Sequence, residues 1–80
     1  MERIIDTSDA NLVGENVRKL RLQKGWSQQY LSIQLETVAV YICRGSISRI
    51  EDRSRTVTDI ELKGLAEVLG VSISDLFESV

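Results

Sequence analysis

Arg44-Gly45-Ser46-Ile47-Ser48-Arg49 gathers two guanidinium groups and two hydroxyls within a short stretch. A guanidinium fork can donate two parallel bonds to O6 and N7 of guanine, worth ~1–3 kcal/mol of discrimination per good pair, and a serine hydroxyl can bond a base edge or a phosphate. Gly45 adds no β-carbon that would hold the backbone away from a strand. Arg53 and Arg55 follow closely, and such cations set affinity and salt dependence more than sequence choice. The chemistry on offer is recognition of a DNA duplex. The 80 residues contain no histidine, no glycine-rich phosphate loop and no nucleophile beside a base, so an enzyme is not expected. A lone Cys43 without histidine builds neither an internal disulfide nor a zinc site, and no metal or cofactor is expected.

The formal net charge of −2 has the wrong sign for a nucleic-acid binder until it is resolved along the chain. Residues 12–55 hold eight basic groups (Arg18, Lys19, Arg21, Lys24, Arg44, Arg49, Arg53, Arg55) against four acidic ones (Glu15, Glu36, Glu51, Asp52), a surplus of four positive charges. Residues 56–80 set Lys63 against Asp59, Glu61, Glu67, Asp75 and Glu78, and residues 1–11 set Arg3 against Glu2, Asp6 and Asp9, leaving excesses of four and two negative charges. A phosphate responds to the local field, and the middle of the chain is basic.

A chain of 80 residues with 42% hydrophobic content suffices for one domain. Domains this small bury only ~60% of the surface exposed on unfolding, so stability is marginal and pairing with a second copy would raise it. No apolar run approaches the ~20 residues that span a bilayer, and Met1 to Thr7 is too acidic for a secretory signal. A soluble, cytoplasmic protein with no membrane partner is the expectation.

The elements that must position these groups are helices. Val13, Val17 and Leu20 recur at helical spacing over about residues 12–24, and Gly25 supplies a left-handed stop. Ser27 can cap a second helix, residues 28–36, with Trp26 folded over Leu31. The same grammar recurs at Val57-Thr58 with Glu61 and Leu62, and at Val71-Ser72 with Asp75 and Leu76, predicting two more helices, one closed by Gly70. Trp26, Leu31, Leu65, Leu69 and Phe77 fall at core spacing. The β-branched run Thr37 to Ile42 could pass for a strand, but no partner strand exists. Ile42 and Ile47 instead flank a cap position at Cys43, predicting a helix from Arg44 to Asp52; cysteine in that place costs ~1 kcal/mol against serine. On a helical wheel Ile47 and Ile50 face inward. Gly45, Ser48, Arg49 and Asp52 face outward, with Arg44 and Ser46 accessible. Asp52 has the wrong sign for phosphates, and Arg49 three residues back can screen it.

Trp26-Ser27-Gln28-Gln29-Tyr30-Leu31, Ser46-Ile47-Ser48-Arg49-Ile50-Glu51 and Leu65-Ala66-Glu67-Val68-Leu69-Gly70-Val71-Ser72 resemble the phage-repressor and Cro-like (XRE-type) helix-turn-helix family over about residues 12–78. The resemblance implies an all-α, five-helix lambda-repressor-like domain at residues 12–80 behind an N-terminal arm, 1–11, with no attached sensor domain. One departure is a connection about five residues longer than the usual turn of about four, within Glu36 to Ile42; it resembles the longer-turn variant of the family, in which an apolar stretch extends the second helix or bulges before the third. By the resemblance, the third helix reads the major groove through Arg44, Gly45, Ser46, Ser48 and Arg49. Ser27 and Gln28 touch phosphate at a helix N-terminus, and Arg53 and Arg55 touch it from a loop. Arg21 and Glu51 form a structural salt bridge between the first and third helices. The protein acts as a homodimeric regulator, a repressor by expectation, on half-sites ~34 Å apart. Its dimer interface would hold Ile73, Phe77 and Val80, joined by Ile4-Ile5. The alternative is a protein-interaction module, an antitoxin or antirepressor partner, contacting a toxin or regulator through the acidic ends.

Overall fold

In the computed structural model, which describes residues 9–78, five helices follow one another: α1 (Gly14–Gln23), α2 (Gln28–Glu36), α3 (Arg44–Glu51), α4 (Asp59–Leu69) and α5 (Ile73–Phe77). The all-α, five-helix organisation is the one anticipated, and the described residues contain no strand. None of these helices is long and apolar enough to cross a membrane. Ile4, Ile5 and Val80, assigned above to a dimer surface, lie outside the described residues.

Local chemistry accounts for the helix ends. Ser27 Oγ accepts the Tyr30 N–H, while Thr58 with Glu61 and Ser72 with Asp75 complete reciprocal capping boxes. Gly25 (φ 71°) and Gly70 (φ 74°) take the left-handed conformation that closes α1 and α4. α1 begins slightly later than its apolar spacing suggests, because Asn11 Oδ1 accepts the N–H groups of Val13 and Gly14 and holds that stretch in a turn.

Val13 and Val17 of α1, Leu31 and Leu35 of α2, Ile47 and Ile50 of α3, Leu65, Ala66 and Leu69 of α4, and Leu76 of α5 make one core, joined by Val40 and Ile42 from the connection. Two core expectations are corrected. Trp26 is only partly buried at the edge, edge-on to Tyr30, and Phe77 is half exposed. α5 is a short helix that buries Leu76 alone, so its other apolar side chains remain on the surface.

α1 meets α3 closely because position 14 is glycine: a β-carbon there would run into the Ile50 carbonyl oxygen. Contacts with α1 and α2 fix how α3 lies in the fold.

Candidate nucleic-acid interface

α3 buries Ile47, Ile50 and Glu51 and leaves Arg44, Gly45, Ser48 and Arg49 exposed, with Ser46 half-buried. Within that outward face Arg49 Nη2 donates to Ser46 Oγ (3.2 Å), and the Cys43 thiol donates to the same oxygen (3.4 Å). Cys43 stands at the cap with extended backbone but caps nothing with its side chain, as the poor acceptor strength of sulfur leads one to expect. In the ionised form the sulfur turns acceptor, and the Ser46 hydroxyl, then the first-turn amides and the Arg49 charge, favour it and so hold the thiol below its ordinary pKa. The Ser54 hydroxyl, then the Ser54 N–H that donates to Asp52 Oδ1 (2.9 Å), keep the exposed carboxyl below its usual range, with a smaller contribution from Arg49.

The C-terminal end of α3 is pinned by buried polar groups. Arg21 Nε and Nη2 reach Glu51 Oε2 and Oε1 at 2.7 and 2.9 Å, and Arg21 Nη1 donates to the Trp26 carbonyl at 2.7 Å. Glu51 also accepts from Gln28 Nε2 (3.1 Å), so the Gln28 side chain turns toward this pair while its backbone stays at the start of α2. Arg21 and Glu51 are both almost fully buried, and the hydrogen-bonded carboxylate raises the arginine pKa further. Asn11 Nδ2 donates to the carbonyls of Ile50 and Arg55, tying the preceding segment to the same end. Arg53, at φ 66°, closes α3: its N–H bonds the Ile50 carbonyl and the Ser54 N–H bonds that of Arg49.

The N-terminal end is held differently. α2 stops at Glu36 and a turn over 37–39 follows, so the lengthened connection bulges before α3 rather than extending α2. Ala39 sits at φ 60°, with its N–H on the Glu36 carbonyl and the Val40 N–H on that of Leu35. This is the hydrogen-bond pattern that glycine usually supports at a helix end, and for a residue with a β-carbon the conformation costs ~1 kcal/mol. Val40 then fits against α4 at Gly64, where a β-carbon would lie 2.6 Å from Val40 Cγ2. Ser32 Oγ, buried on α2, donates to the Ile42 carbonyl at 2.6 Å, immediately before the cap of α3. Val40 and Ile42 are thus turned inward and Tyr41 between them outward.

Neither loop arginine is a bare cation. Arg53 Nη2 lies 3.5 Å from Asp9 and 3.9 Å from Glu15, both ends partly solvated. Arg55 makes a two-pronged contact with Glu61 at 3.0 and 2.8 Å, and the same carboxylate caps α4. Arg55 holds the Glu61 carboxyl below its usual range. Ile73 and Phe77 are exposed at α5, and Phe77 shares an open apolar depression with Leu12, Val57 and Leu62.

Asn11, Ser32, Tyr41 and Gly64 are absent from the residues singled out in the sequence. A serine within a helix and a glycine in the middle of one are the signals that could have marked Ser32 and Gly64. Asn11 could have been read as a turn-former before α1.

A helix-turn-helix family model matches residues 17–76, a span from within α1 to within α5. Among solved structures, that of the restriction-modification controller protein C.AhdI from Aeromonas hydrophila is similar, with a TM-score of 0.71 and 29% identity, covering 82% of this chain and 96% of that one. No curated protein sequence matches the chain.

Proposed function

The chain belongs to the XRE-type helix-turn-helix family of DNA-binding regulators, and we propose that it represses transcription as a homodimer, with α3 of each copy in the major groove of one half of a two-fold operator. The observation that carries this reading is α3 itself: a helix with both ends anchored in the fold and an outward face of Arg44, Gly45, Ser48 and Arg49. A rigid seat is what base readout requires, because a guanidinium must meet two acceptors at once. In this reading Arg44 and Arg49 contact base edges with Ser46 and Ser48 beside them, and Gly45 admits the backbone of α3 close to the strand. The start of α2 at Ser27 and Gln28 supplies amides for a phosphate. Arg53 serves the backbone from the loop, and Arg55 orders that loop through Glu61. Ile73 and Phe77 on α5 join two copies, and the protein works in the cytoplasm. The controller role of C.AhdI supports a regulatory reading.

Fluorescence polarisation with the duplex upstream of the protein's own coding sequence tests this against a random duplex. Preference for the upstream duplex is expected to survive between ~50 and ~200 mM salt while overall affinity falls steeply. Arg49→Ala should lose ~1–3 kcal/mol at one base position, whereas Arg53→Ala should weaken all sequences alike. Equal, weak binding of both duplexes sinks the proposal.

A further inference from the structure

We infer that Tyr41 is an additional DNA contact, its phenol hydroxyl donating to a backbone phosphate on the wall of the groove that α3 enters. The inference rests on the reading of α3 just given. Tyr41 is 77% exposed, the most exposed large hydrophobic side chain among the described residues. Its neighbours explain why it cannot turn away. Val40 and Ile42 are 6% and 4% exposed, the Val40 N–H is held by the Leu35 carbonyl, and the Ile42 carbonyl is held by Ser32. The chain spends a strained residue, Ala39 at φ 60°, on a connection that presents an aromatic ring to solvent. Tyrosine suits such a post, since it offers a large amphipathic surface with few rotatable bonds to immobilise.

Position decides what it touches. Tyr41 precedes the first residue of α3 by a stretch of chain that reaches at most ~10 Å. A helix with its side chains is ~10–12 Å across and the major groove ~12 Å wide, so a residue beside the helix N-terminus meets the sugar–phosphate wall and not a base edge. Tyr41 shares an open cleft with Gln29, Glu36, Cys43 and Arg44. The Glu36 carboxylate disfavours phosphate inside the cleft, which leaves the contact to the outward phenol with Arg44 alongside. A neutral donor displaces no counterion, so Tyr41 adds affinity without adding to the salt dependence.

The test compares the wild-type chain with Tyr41→Phe and Arg49→Ala on the upstream and random duplexes at two salt concentrations. Tyr41→Phe should weaken both duplexes by about tenfold, the size of one hydrogen bond to a charged acceptor, with the salt slope and melting temperature unchanged. In the wild type, bound duplex should also protect Tyr41 from nitration. Wild-type affinity for Tyr41→Phe, or a loss confined to one sequence, overturns the inference. If Arg49→Ala still weakens binding in that case, the reading of α3 stands without Tyr41; if the wild type binds no duplex, both fall together.

Discussion

The two ends of α3 are fixed by opposite means. At the C-terminal end a buried Arg21–Glu51 pair, with Gln28, the Trp26 carbonyl and Asn11 around it, ties α3 to α1 and to the start of α2. At the N-terminal end the joint is mostly apolar: Val40 against Gly64, Ile42 in the core, one hydroxyl bond from Ser32, and a left-handed Ala39. A buried ion pair is all-or-nothing, since removing one partner leaves an uncompensated charge in a dry site. Packing and a single hydrogen bond yield by degrees. The difference separates holding α3 in the fold from aiming the end that carries Arg44.

Four substitutions can break or sharpen that contrast. Glu51→Ala should be the most damaging, at about 3–5 kcal/mol, because Arg21 stays buried without its carboxylate; chemical denaturation measures it, and a loss below that of Ser32→Ala would reverse the ranking of the two joints. Ser32→Ala strands the Ile42 carbonyl and should lower stability by about 1–3 kcal/mol. It should also weaken DNA binding through a displaced Arg44, so a stable variant with unchanged affinity would show that the hydroxyl does not aim the helix. Smallest is a reciprocal pair at the left-handed positions. Ala39→Gly should stabilise by about 0.5–1 kcal/mol and Gly70→Ala destabilise by about 1 kcal/mol. A β-carbon at position 70 would meet nothing within 4 Å, so strain alone is read there. Thermal melts that move both variants the same way would remove the claim of strain at Ala39.

Legibility in the sequence follows the same division. Caps at Ser27, Thr58 and Ser72 and stops at Gly25 and Gly70 are short-range signals, decided within a few residues, and the helices begin and end close to where these place them. The left-handed Ala39 and Arg53 carry no such mark, since nothing local distinguishes them from ordinary alanine and arginine. The course of residues 37–43 depends on Gly64 and Ser32, contacts between elements that spacing does not reveal. Burial of Ile47, Ile50 and Glu51 on α3 is legible from a helical wheel. The ion partners of Arg53 and Arg55 are not, because they depend on the path of a loop. Phe77 has core spacing, yet its helix is too short to bury more than Leu76.

Gly64 lies in α4, outside the basic segment, yet the absence of a β-carbon there lets Val40 seat against the helix and so shapes the connection into α3. A β-carbon at this one site would press on Val40 and displace the segment that leads into α3, while the sequence of α3 itself stays intact.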